Sequence, residues 1–282
     1  MDKKVIKEIQ KLAEKIIKDN NLNDKTVIRD DVFNILQNIP NCIVIYYPID
    51  TEANEDGCDG CHVVRTVKGI EKQLVFINTA NTGERQAFSV AHELGHIWNV
   101  DGRLKDALPD TVFDVEEVIN RFAAELLMPE EFFIAQLIGR VRHHIPDNNV
   151  TVLGLIKIIV YLMNYFYSPY KAVVLRMEEI GFIDKNARDH LLSYKDSQIV
   201  KDIIQEEQYT RLGIITEKKS IANLSDKLDE IEEKQLFPYN KIMEIRKEFG
   251  LSSIKKDKEM NEVIDINDLK GLDVNEKGGL GY

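Results

Sequence analysis

The chain reads as an α+β protein, a mostly helical core carrying a small three-stranded sheet and followed by further helices. Three observations predict this. Apolar residues recur at three- and four-residue spacing over most of the 282 positions. Three short runs between residues 42 and 78 are instead rich in β-branched and aromatic residues, bounded by Pro, Asp and Gly. From about Lys195 onward the pattern is charged and helical, with no strand signal.

Taken in order, the first helix is expected over 4–18, where Val5, Ile6, Ile9, Leu12, Ala13, Ile16 and Ile17 share one face. A second covers 30–38 and stops before Pro40. Strands follow at 42–47, 62–67 and 73–78. Helical periodicity returns at Gly83 and persists to about Leu137, with breaks expected near Gly102 and at Pro129. The spacing of Asn81 and Glu84 resembles a capping box opening this region. After a polar break at 146–149, the stretch 150–167 is very apolar, but it contains Lys157 and Asn164 and falls short of a membrane span. A buried helix is expected there. With the following SPYKAVVLRMEEIGFID it looks like a helix-turn-helix arrangement. The expected domains are therefore 1–145 as the core, 146–195 as a helix-turn-helix-like region, and 196–282 as a charged helical extension. Its tail, from Lys255, is expected to be mobile.

Composition narrows the function. The formal charge of −11, from 37 basic and 48 acidic residues, argues against a broad nucleic-acid surface, which needs clustered Lys and Arg. A local contact through Lys171, Arg176 and Lys185 stays open but is not favoured over a helical packing role. The N-terminal stretch is charged throughout and lacks the apolar region of a secretory signal. Three cysteines suggest no disulfide framework. Together these features point to a cytoplasmic protein without a membrane segment. Cys58, Cys61 and His62 spell the C-x-x-C-H haem-attachment pattern, which without an export signal reads as an incidental turn entering a strand.

The informative segment is RQAFSVAHELGHIWNVD. His92 and His96 lie at i and i+4 with Glu93 between them, an H-E-x-x-H pattern. On a helix the two imidazoles share a face and can reach one ion. Ala87, Val90, Ala91, Leu94, Ile97 and Trp98 supply the buried face that makes this segment helical. A catalytic zinc needs a third protein ligand and an open position. No histidine follows closely, so a glutamate from the next helix is the alternative. That helix is VEEVINRFAAELLMP, in which Glu116 or Glu117 could turn to the metal. Glu116 is favoured, because Asn120 then lies one turn on, placed to orient a ligand histidine. Gly95 weakens its helix by about 1 kcal/mol relative to Ala, and close approach of another element is one explanation.

The pair FSVAHELGHIW and EEVINRFAAELLMP resembles the ImmA/IrrE metallo-endopeptidase family of bacteria, mobile elements and phages. The likeness covers about residues 28–190. The family often has Glu-Ala-Asn before its FAA segment, where this chain has Val118-Ile119-Asn120. That departure leaves Glu116 as the better match to the family's ligand. The resemblance implies a gluzincin-like site, with zinc held by His92, His96 and Glu116 and with Glu93 as the proton carrier. It also implies a protein substrate, a helix-turn-helix repressor whose cleavage relieves repression. The competing reading is a non-catalytic DNA-binding or adaptor protein of toxin–antitoxin type that retains a structural metal. Glu93 weighs against it, since a structural site has no need of that carboxylate. His143, His144 and several tyrosines are weak candidates for stabilising an oxyanion.

Overall fold

Apolar faces and chain reversals organise the described residues into twelve helices and four strands. In order these are α1 (Lys3–Asp19), α2 (Asp31–Gln37), β1 (Cys42–Tyr47), β2 (Gly60–Val67), β3 (Ile70–Asn78), α3 (Gly83–Ile97), α4 (Val100–Ala107), α5 (Val115–Leu127), α6 (Glu130–His144), α7 (Val152–Phe166), α8 (Tyr170–Glu179), α9 (Lys185–Leu192), α10 (Gln198–Glu206), β4 (Ser220–Ile221), α11 (Leu224–Glu233) and α12 (Tyr239–Glu248). The computed structural model describes residues 1–20, 22, 27–49, 59–67, 69–144 and 151–251, without the side chains of 143 and 144. The polar break at 146–149, the tail from Lys255, Cys58, and the side chains of His143 and His144 lie outside the described residues. The chain divides into two compact units, Met1–Ala222 and Asn223–Tyr282.

The α+β class holds, and the sheet gains a strand. Its order is β2-β3-β1-β4, with β1 parallel to β3 and both outer pairings antiparallel. Alternation fixes its buried face: Val44 and Tyr46 on β1 and Val75 and Ile77 on β3 face the core, with neighbours on the other side. The fourth strand corrects the expectation of three, and of no strand after Lys195. Two residues carry no period, so β4 is visible only through its pairing with Ile45 and Tyr46.

Two local readings also change. Asn81 does not cap α3: the N-cap is Thr82, which makes no side-chain capping bond. Glu84 instead accepts a hydrogen bond from Gly213 N–H, 3.2 Å away, and the Asn81 amide donates to Asp59. The helical run breaks at Asn99, which adopts a left-handed φ of 53°, whereas Gly102 lies inside α4. The break at Pro129 stands.

α3 is buried on nearly every side and packs against β2, β3, α4 and α5. Gly95 makes the approach of α5 possible. A Cβ there would meet Ile119 Cγ2 and Phe122 Cδ1 at 3.1 Å each, tighter than ordinary contact. The apolar α7 is a core helix as expected, with Ile158, Ile159, Val160, Leu162 and Phe166 fully buried. No single helix among the described residues is long and apolar enough to cross a membrane.

The FAAELLMP stretch closes α5 with a buried ion cluster. Glu125 Oε2 accepts from Arg121 at 2.9 Å and from Arg176 at 2.7 Å, and Arg176 also donates to Glu179 at 2.7 Å. Arg176 is 1% exposed, so it is a packing residue tying α8 to α5 and cannot contact nucleic acid. In the unit from Asn223, α11 and α12 bury Leu228 and Ile242, and Arg246 is held by Asp229 and Glu232.

Candidate metal centre

Four side chains meet where α3 crosses the start of α5. One helical turn sets His92 and His96 on the same face, and their Nε2 atoms are 3.2 Å apart. From α5, Glu116 brings Oε2 to 3.2 Å from His92 Nε2 and Oε1 to 3.6 Å from His96 Nε2. Asp114 determines where that carboxylate starts. Its side chain caps α5 by accepting from Glu117 N–H at 2.8 Å, which places Glu116 in the first turn. Glu117 turns elsewhere, 3.5 Å from the Met1 amino group.

The spacing suits one small cation. With bonds of about 2.0–2.1 Å, two ligands of a tetrahedral zinc stand about 3.3 Å apart. The three separations here are 3.2, 3.2 and 3.6 Å. His92 is also fixed in the tautomer a metal requires. Its Nδ1–H donates to Asn120 Oδ1 at 3.0 Å, which leaves the Nε2 lone pair facing the centre. Asn120 thus lies where the helical spacing from Glu116 puts it. Among the described residues, His92, His96 and Glu116 form the one group of three or more such side chains able to hold a metal.

Glu93 sits behind this group and is 4% exposed. Burial, and then the negative charge of Glu116, push its carboxyl up to about 7. His96 is shifted down by burial and by His92, with His62 adding to the fall and Glu116 and Asp101 opposing it. On the sheet side Gly60 lies directly against Glu93: a Cβ there would be 3.0 Å from Glu93 Oε1. A larger residue at the start of β2 would therefore crowd the carboxylate.

Residues 43–178 match the model of a peptidase family described as the IrrE N-terminal-like domain. This segment is an ImmA/IrrE family domain. It contains the H-E-x-x-H helix, Glu116, Asn120 and the FAAELLMP segment together. The chain thus carries a domain of a metallopeptidase-type family over just under half of its length. No curated protein matches the chain. Among solved structures, a Mycobacterium tuberculosis transcriptional regulator aligns with a TM-score of 0.39 at 12% identity. The alignment covers 60% of this chain and 46% of that one, so the chain spans less than half of its length.

His62 is the site-side residue that motif reading missed. Its ring centroid is 6.4 Å from that of His96, with the planes 28° apart. It is thirty residues from His92, and no spacing rule connects a strand residue to a helix across that distance.

Proposed function

We propose that the chain is a zinc-dependent endopeptidase in which His92, His96 and Glu116 hold the metal, Glu93 carries the proton and Asn120 orients His92. The observation that carries this reading is the convergence of two imidazoles and a carboxylate at tetrahedral spacing, with a second, buried carboxylate immediately behind. When bound, zinc supplies Lewis-acid polarisation of the peptide carbonyl and acidifies water. Glu93 accepts the proton of the attacking water and delivers it to the leaving amine. Its burial beside Glu116 makes it a stronger base than a surface glutamate. Among the described residues β2 is the last strand of the sheet on this side, and its run from His62 to Val67 can receive an extended peptide as an added strand.

The proposed substrate follows from the family resemblance: a cytoplasmic helix-turn-helix repressor, whose cleavage relieves repression. The test is incubation of the zinc-loaded chain with a small helix-turn-helix protein encoded beside it, followed by mass analysis of fragments. The wild-type chain is expected to cut it, and Glu93→Gln to lower the rate by about a thousandfold with one zinc retained per chain. Cleavage by the Gln variant at the wild-type rate would sink the mechanism. Stable binding of the repressor by the wild type without any cutting would favour the adaptor reading with a structural metal.

A further inference from the structure

β2 contributes more to the centre than a backbone edge. It pairs antiparallel with β3, with Gly60 opposite Ile77 and His62 opposite Val75. Val75 and Ile77 are fully buried on the face that carries α3, so Gly60 and His62 face the same way. Gly60 meets Glu93, and two residues further on His62 meets His96. The His62 imidazole therefore walls the metal pocket on the sheet side, as Glu116 and Asn120 wall it on the α5 side.

The His62 ring is half-buried and its orientation is set. Nε2 hydrogen-bonds to Oε1 of Gln73 on the neighbouring strand, and because an amide oxygen accepts, the ring must donate there. A neutral imidazole protonated at Nε2 has its lone pair at Nδ1, and no described residue binds that atom. His62 is not a fourth ligand of the group formed by His92, His96 and Glu116. What remains is an acceptor on a ring that lies beside His96, on the strand along which a peptide would lie.

We propose that His62 is a substrate-contacting residue, accepting at Nδ1 a hydrogen bond from a backbone N–H of the peptide bound across the metal centre. This rests on the zinc-peptidase reading above. Gln73 is then a positioning residue, holding the ring in the tautomer that can accept.

Two hydroxamates separate the site from the contact. Acetohydroxamate reaches only the metal, whereas acetyl-alanyl-leucine hydroxamate adds two peptide units that extend from it. Both are titrated calorimetrically into the full-length chain loaded with cobalt(II), whose absorption spectrum reports the ligand set. His62→Phe is expected to leave the cobalt spectrum and acetohydroxamate affinity unchanged and to weaken the peptidyl hydroxamate about five- to tenfold. His62→Gln, which keeps an acceptor, is expected to recover part of that loss. Gln73→Leu, which leaves the imidazole but frees it, is expected to show a smaller loss of the same kind. It serves as the test should the Phe variant not fold. Equal weakening of both ligands, or of neither, overturns the role of His62 while the metal site stands. A wild-type chain that binds no cobalt, or binds it without taking up acetohydroxamate, overturns the zinc-peptidase reading and this contact with it.

Discussion

Helix α5 carries Glu116 in its first turn, its side chain 65% exposed beside two imidazoles, and nears its end with Glu125, buried against Arg121 and Arg176. Both carboxylates belong to the segment that resembles the ImmA/IrrE pattern, yet their surroundings differ in one decisive respect. At Glu125 the chain supplies its own cations: two arginines hold Glu125 and Glu179, and Glu130 lies 3.8 Å from Arg176. At the other end, no arginine or lysine among the described residues pairs with Glu93 or Glu116: Glu116 lies beside His92 and His96, and Glu93 is driven towards neutrality by its burial and by Glu116. A buried cluster whose carboxylates are paired with arginines of the same chain holds helices together. One that lacks a cation is suited to binding one, and this difference separates the structural end of α5 from the chemical end.

The largest expected effect tests the structural end. Glu125→Gln keeps the shape but leaves Arg176, 1% exposed, short of a counter-charge, and should cost about 3–5 kcal/mol in urea unfolding. The folded fraction should still bind one zinc, measured by metal content after gel filtration. Loss of zinc binding without loss of stability would erase the distinction drawn here.

A smaller effect of opposite sign is expected at Glu93. Its folded carboxyl, pushed up to about 7, stays protonated at pH values where the unfolded chain, titrating near 4.5, has already released the proton. The native state then binds more protons, so the stability of the metal-free chain falls as pH rises from about 4.5 to about 7, and the penalty is complete above that. Glu93→Gln in the presence of chelator should therefore be more stable than the parent at pH 8, by about 1–3 kcal/mol, and equal to it below pH 4.5. Urea melts at the two pH values decide this, and a Gln variant less stable at pH 8 would mean the buried carboxylate is compensated. The mildest change is Asn120→Ala. It removes the acceptor of His92 Nδ1–H and should weaken zinc about 10- to 100-fold by competition with a chromophoric chelator, with little change in stability.

Much of this was legible in the chain. The H-E-x-x-H spacing and the apolar face of α3 follow from the 3.6-residue period, because side chains one turn apart are a local matter, and the spacing of Glu116 and Asn120 singles out a candidate third donor on the following helix. The three strands and the buried α7 were readable for the same reason, each being long enough to show its period. What failed was short or non-local. β4 is two residues long, the cap of α3 went to Thr82 while Glu84 turned to Gly213, and the helix break fell at Asn99 rather than near Gly102. Arg176, for which a nucleic-acid contact stayed open beside the favoured packing role, is buried with carboxylates from other turns and helices around it.

The sequence by itself placed the candidate donors: His92 and His96 on one helix face, Glu93 between them, and Glu116 or Glu117 at the start of the next helix, with Glu116 favoured by Asn120 one turn on. Only the tertiary structure decided that Glu116 rather than Glu117 closes the group, that Glu93 is buried against Gly60, and that His62 reaches the pocket from β2. The physical reason is range. Periodicity constrains neighbours within a turn or a strand, whereas contacts between a strand, a helix and the start of the next helix depend on how closely they pack, and at Gly95 a methyl group would press on Ile119 and Phe122 at 3.1 Å.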